Sequence, residues 1–226
     1  MNADPHDQAD APRPAPDSSA AYLAPYRDAL ERHGPTFEAT LWRNEDFQRA
    51  RFAVLCETID LTGRIVLDAG CGRADFARYL LEHEVQYGRY IGVDAMPELM
   101  DAGKALGAPE CEFHVRDFVA DPDAFTPVAR PPDVVVFSGS LNTLKLDDSM
   151  RVLDRAWDAC TEALLFNFLS SRCPQAAHTA PDDPAQRYDP LGLLNWALAR
   201  TPSVLFRQDY LQGHDATIAM WKPAPR

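Results

Sequence analysis

Two hydrophobic periodicities alternate along this chain. From residue 64, short and nearly continuous apolar runs at 64–69, 90–94, 111–116, 133–138 and 163–169 predict buried strands. Between several of them the apolar positions fall at helical spacing. Phe76, Leu80 and Leu81 stripe the first predicted helix, and Leu99, Ala102 and Leu106 the second, which Pro97 opens. Met150, Leu153, Trp157 and Cys160 stripe a later one. Strands that are apolar on both faces and separated by helices imply a parallel sheet covered on both sides. The run at 111–116 is the weakest, because His114 and Arg116 interrupt it. Leu191, Leu194 and Leu198 mark a further helix. Val204–Leu211 and Ala216–Trp221 then flank Gln212-Gly213-His214-Asp215, a gap too short for a helix, so this last pair is predicted to be an antiparallel hairpin.

The flanks of this rhythm read differently. Residues 1–19 hold Pro5, Pro12, Pro14 and Pro16 with four aspartates and no large apolar residue beyond Met1, which predicts a disordered tail. Residues 20–62 predict a helical addition ahead of a core at 63–226. Tyr22, Leu23, Tyr26 and Leu30 fit a short helix interrupted near Pro25 and closed by Gly34. Asn44 caps a longer helix that runs to about Asp60 with Phe47, Ala50, Val54, Leu55 and Ile59 on its apolar face. The segment 171–188 contains Pro174, Pro181 and Pro184 and predicts a mobile loop.

Composition changes this picture in two ways. A formal net charge of −12 repels phosphate backbones, which makes a nucleic-acid substrate unlikely and favours a small acceptor. Five scattered cysteines without a CxxC pair, and no signal-peptide core, point to reduced thiols in the cytoplasm. No apolar run approaches the ~18 residues of a membrane span, and no His/Cys/Asp cluster has metal-ligand spacing, so no metal is expected.

The chemistry concentrates in Ile65-Val66-Leu67-Asp68-Ala69-Gly70-Cys71-Gly72-Arg73-Ala74-Asp75-Phe76, an apolar strand that ends in an acid and a glycine turn before a helix. A dinucleotide fingerprint needs a small residue at the sixth position, where this chain has Asp75. Asp68, two residues before the first glycine, would oppose a diphosphate. It suits a ligand with positive charge and no phosphate, such as S-adenosylmethionine (SAM). A second acid, Asp94, ends the next strand about 20 residues on, the spacing at which a carboxylate reaches ribose hydroxyls in such sheets.

On these residues the chain resembles the class I SAM-dependent methyltransferases. Their acid-plus-GxGxG motif appears as Asp68-Ala69-Gly70-Cys71-Gly72-Arg73-Ala74, with Ala74 in place of the last glycine. The resemblance implies that Asp94 binds the ribose, with Ala95 and Met96 beside the adenine, and that Asp117 and Phe118 meet the adenine edge. It also implies that the stretch Ser138-Gly139-Ser140-Leu141-Asn142 lines the site. The implied fold is a Rossmann-like three-layer α/β/α sandwich with seven strands, one antiparallel, in the order 3-2-1-4-5-7-6. The implied reaction is methyl transfer from SAM to a small or medium-sized acceptor. Trp42, Ser140, Asn142 and His178 are the candidate acceptor contacts, and no catalytic residue is assigned. Acid–base candidates are thin: His178 lies in the 171–188 loop and His214 in the terminal hairpin turn, and His114 reads as a packed strand residue. The Asn/Asp-Pro-Pro-aromatic motif of amino-group methylation on bases is absent, since Pro131-Pro132 precedes the fourth strand. A non-catalytic SAM-binding sensor or partner subunit, and less readily an NAD(P)-dependent oxidoreductase, are the competing readings.

Overall fold

A computed structural model describes residues 20–108, 110–174 and 184–223. The predicted tail and half of the predicted loop, His178 included, lie outside the described residues. The sheet is built from β1 (Ile65–Ala69), β2 (Arg89–Asp94), β3 (Cys111–Val115), β4 (Val134–Phe137), β5 (Ala163–Ser170), β6 (Arg187–Tyr188), β7 (Val204–Arg207) and β8 (Asp215–Trp221). Its order is β3-β2-β1-β4-β5-β8-β7, with β6 pairing the end of β5. The strands β1 to β5 run parallel, and β8 is antiparallel to both β5 and β7. Leaving out the two-residue β6, this is the predicted order. The eighth strand arises because Tyr188 is buried, its hydroxyl bonded to the Leu141 and Leu144 carbonyls at 2.7 Å each. That anchor makes the end of the predicted 171–188 loop a strand.

Successive side chains on each strand point to opposite faces, and both faces are covered. Leu67, Ile91, Val93 and Phe137 pack with Leu153 and Trp157 of α5 (Leu146–Ala159) and Trp196 of α6 (Pro190–Leu198). On the other face Val66, Tyr90, Val134 and Val136 pack with Phe52 and Leu55 of α2 (Glu45–Thr58) and Phe76 and Leu80 of α3 (Asp75–Glu82). The remaining helices are α1 (Ala24–His33) and α4 (Pro97–Lys104). No helix among the described residues is long and apolar enough to cross a membrane.

Local chemistry sets the helix ends. Asn44 caps α2 by accepting from the Phe47 amide at 2.9 Å, and Asp189 caps α6 through the Leu191 amide. Pro25 lies in the first turn of α1, where a missing N–H costs nothing, so it opens the helix instead of interrupting it. Ala74, at the motif's last glycine position, keeps the left-handed conformation (φ 58°, ψ 35°) and is completely buried. This conformation costs a residue with a Cβ about 1–2 kcal/mol.

The terminal hairpin differs from its prediction at both inner ends. β7 stops at Arg207, whose guanidinium is drawn to Glu57 and Asp209. A 3-10 turn, Leu211–Gly213, makes the connection. Asp215, predicted in the turn, is the first residue of β8 and completely buried, because it pairs with Arg51 of α2.

Candidate active site

The carboxyl ends of β1, β2 and β4 open into one cleft of about 440 Å³, within the 300–1,000 Å³ range of small-ligand sites. Asp68, Gly70, Cys71, Gly72, Asp94, Ala95, Met96, Asp117, Phe118 and Ser138 all line it, as do Trp42, Ser140 and Asn142. Ala69 does not: it is completely buried in β1, and its carbonyl accepts from the Ser140 hydroxyl at 2.5 Å. Strand ends as far apart in sequence as Ala69 and Phe137 thus converge because parallel strands all point their carboxyl ends to one edge.

The turn after β1 is held from two sides. Gly70 and Cys71 donate their amides to the Val93 carbonyl at 2.8 and 3.1 Å. Gly70 has φ +80°, and a Cβ there would collide with the Ser140 side chain. The first structural demand on this glycine is the packing of the loop after β4. That loop is itself fixed by Asn167, a fully buried polar residue in the middle of the apolar run of β5. Its side-chain oxygen accepts from the Gly139 amide at 2.8 Å, and its nitrogen donates to Ser138 Oγ at 3.2 Å. A lone Asn inside Ala163–Ser170 was the available signal in the sequence.

Three acids surround the turn. Asp94, 9% exposed, accepts from the Gly72 amide and the Met96 amide, each at 2.8 Å. Asp68, 3% exposed, accepts a very short bond from the Tyr90 hydroxyl. Asp117 accepts from the Tyr22 hydroxyl at 2.6 Å and from the Val119 amide at 2.9 Å, so it closes its own turn as well as facing the cleft. Burial pushes Asp68 up to about 7, with the Tyr90 bond opposing and the charge of Asp94 adding. Burial likewise pushes Asp94 up to about 6, against the pull of the Met96 and Gly72 amides. Among the described residues the donors to Asp68 and Asp94 are neutral, which leaves two acids poised for a cationic partner.

The opposite wall comes from the N-terminal helices and the far strands. Tyr22, Tyr26, Trp42, Phe47 and Arg51 line the cleft from this side. The Trp42 ring presses on Gly139, where any Cβ would meet it at 2.7 Å, and the Arg51 guanidinium stacks on it at 4.3 Å. Tyr26 bonds the Thr143 side chain, and burial pushes its hydroxyl up to about 12. Arg187 and His214 complete the wall. Arg51 and Asp215 carried no signal in the sequence, since their pairing spans 164 residues.

The residues fit SAM on structural grounds. The unpaired acids suit its ammonium and sulfonium charges. Asn142 Oδ1 and Arg73 Nε, both on cleft-lining residues, are buried without a hydrogen-bond partner among the described residues, so they are open to a polar ligand.

Residues 66–162 match the family described as a methyltransferase domain. Among curated proteins, the ribosomal RNA small subunit methyltransferase H of Alcanivorax borkumensis is 30% identical over 114 residues, 47% of this chain; the chain spans 36% of that protein. Among solved structures, DhpI in a complex with SAM and HEP has a TM-score of 0.64 at 16% identity, covering 90% of this chain and 96% of that one. Magnesium protoporphyrin IX methyltransferase from Synechocystis PCC 6803 with bound SAM has a TM-score of 0.63 at 11% identity, covering 92% and 100%. A segment similar to a methyltransferase domain, less than half of the chain, thus lies within a fold shared with solved methyltransferases.

Proposed function

We propose that this protein transfers the methyl group of SAM to a small or medium-sized acceptor, with S-adenosylhomocysteine (SAH) as the second product. The observation that carries the reading is the pair of buried acids, Asp68 and Asp94, around the glycine turn, with neutral donors only among the described residues. When bound, SAM supplies a methyl group already activated on a sulfonium. The protein's own task is then to position and to exclude water. Asp94 takes the ribose hydroxyls, Ala95 and Met96 flank the adenine, and Asp117 with Phe118 meets its edge. Asp68, Gly70, Cys71 and Gly72 receive the amino-acid end of SAM, Ala69 supports them from inside β1, and Ser138 closes the floor. Residues 20–62 act as a lid, supported by the presence of Tyr22, Tyr26, Trp42 and Arg51 in the cleft wall.

A small acceptor fits better than RNA. The net charge is −12, and the acceptor side is walled by Trp42, Phe47 and Leu169 around a few polar groups. The relatives' names cover both kinds of substrate, a ribosomal RNA and a magnesium porphyrin.

The test is an SAH-release screen over amines, phenols, alcohols, carboxylates, thiols and RNA, run beside calorimetry of SAM binding. Binding without release from any acceptor would make the protein a sensor or partner subunit; no binding would remove the reading altogether. Asp94→Ala is expected to weaken SAM binding by ~1–3 kcal/mol, and unchanged affinity in a folded variant would take Asp94 out of the site.

The raised carboxylates also set a pH dependence. Both folded values lie above the ordinary carboxylate range, so the stability they contribute to the empty protein is present below about pH 4. It is lost as pH rises through about 6 and about 7. A cationic ligand favours the ionised forms. SAM affinity is therefore expected to climb by up to about tenfold per pH unit between pH 5 and 7, then level off. A flat affinity profile across that window contradicts the assignment.

A further inference from the structure

The cleft wall over β5, β6 and β8 carries four connected polar side chains. Arg51, 4% exposed, donates from Nε to Asp215 Oδ1 at 2.5 Å, and Asp215 is completely buried. His214 Nδ1 lies 2.9 Å from Asp215 Oδ2, and His214 Nε2 lies 2.9 Å from Arg187 Nη2. A guanidinium only donates, so Nε2 must be the accepting nitrogen. The proton therefore sits on Nδ1 and is donated to Asp215, which fixes both the tautomer and the ring orientation. Phe47 meets the ring edge-on, with centroids 6.1 Å apart. Arg187 is steadied from behind by donating from Nη1 to the Ser170 carbonyl at 3.0 Å. His214 and Arg187 both face the cleft that holds Asp68 and Ser138. An imidazole oriented through one nitrogen by a buried acid, whose other nitrogen accepts from Arg187 at the cleft wall, has the arrangement of a general base once a hydroxyl takes over that contact.

We infer that the Arg187–His214 pair seats a hydroxyl group of the methyl acceptor and that His214 is its catalytic base. The inference rests on the methyltransferase reading and narrows its acceptor to an alcohol or a phenol. A hydroxyl that slips between the two side chains donates its proton to Nε2 and accepts from Arg187 Nη2–H, so both existing partners are satisfied. The acceptor's oxygen–carbon bond forms as the methyl–sulfur bond breaks and its electron pair returns to sulfur. The hydroxyl proton passes to His214 Nε2 and leaves to solvent after the product departs. The imidazolium so formed faces the Asp215 carboxylate, and the charge developing on oxygen faces the Arg187 guanidinium. A protonated amine would set its charge against Arg187, and a carboxylate would bring no proton for Nε2. Asp215 and Arg51 are positioning residues that act through His214.

The probe is 4-nitrophenol, whose phenolate absorbs visibly. Bound to the SAH complex of the wild-type protein, it is expected to ionise about one pH unit lower than in buffer. His214→Gln retains an acceptor for Arg187 near the Nε2 position but takes up no proton. It is expected to abolish that shift and to slow methyl transfer to phenols by ~100-fold. Its SAH affinity should stay within about twofold. Arg187→Met provides an independent variant with the same loss of phenolate stabilisation. An unshifted 4-nitrophenol titration in the wild-type SAH complex, or equal behaviour of His214→Gln and wild type, overturns the inference. Failure of the wild-type protein to bind SAH would instead strike at the methyltransferase reading itself.

Discussion

Replacing Gly70 by alanine is expected to weaken SAM binding by at least ~100-fold while leaving the protein folded. Two costs coincide at this residue. The backbone sits at φ +80°, where a Cβ costs about 1–2 kcal/mol. The new methyl would also overlap the Ser140 side chain and lie 3.3 Å from the Phe118 ring. Ser140 is not free to withdraw, because its hydroxyl is bonded to the Ala69 carbonyl at 2.5 Å. The overlap is relieved by moving either the glycine turn or the loop after β4, and both line the cleft. A 100-fold loss corresponds to about 2.7 kcal/mol, since every 1.4 kcal/mol is tenfold. Adding Ser140→Gly should recover the steric share and leave the backbone share, so the double variant is expected to bind SAM roughly tenfold better than Gly70→Ala alone. Calorimetric titration of both variants checks this. If Ser140→Gly gives no recovery, the two loops are not in the contact described.

The second large effect is on stability. Arg51→Ala removes the guanidinium that holds Asp215, and among the described residues the completely buried carboxylate keeps only His214 as a side-chain donor. Stranding a buried charge costs about 3–5 kcal/mol, more than the pair contributes over an apolar replacement. For a chain of this size each kcal/mol lowers the melting temperature by about 2–4 °C, so scanning calorimetry should show a fall of roughly 6–20 °C. The reciprocal loss is expected for Asp215→Ala, which strands Arg51 beneath Trp42. Replacing both residues together, Arg51→Met with Asp215→Leu, should restore most of the stability, because neither charge is then left alone. Additive losses in the double variant would show that the two residues do not act as a pair.

The fold was legible because its signals are local and repeated. Apolar runs of strand length, helical stripes between them and a gap too short for a helix identify a parallel sheet with a reversed end. The glycine turn and Asp94 were legible for the same reason, since their spacing follows from one strand, one turn and one helix. The structure placed Asp68, Gly70, Cys71, Gly72, Asp94, Asp117 and Ser138 around a single cleft, as their positions at strand ends require. Pro25 opens a helix instead of breaking one for a local reason, its place in the first turn. Two readings changed where a distant partner intervened: the hydroxyl of Tyr188 draws the chain into an eighth strand, and Arg51 pulls Asp215 out of a turn and into the core.

By itself, then, the sequence determined the order of elements and the glycine turn with Asp94. Both depend on residues within about thirty positions of one another, where periodicity and turn chemistry act. The tertiary structure alone decided how the opposite wall of the cleft is held. Trp42 against Gly139, Arg51 with Asp215, and Arg187 with His214 come from α1's neighbourhood, α2, β6 and β8. They meet only once the sheet brings its carboxyl ends to one edge. A buried acid, an oriented imidazole and a stacked guanidinium have no sequence spacing of their own, because burial and direction are properties of the packed chain.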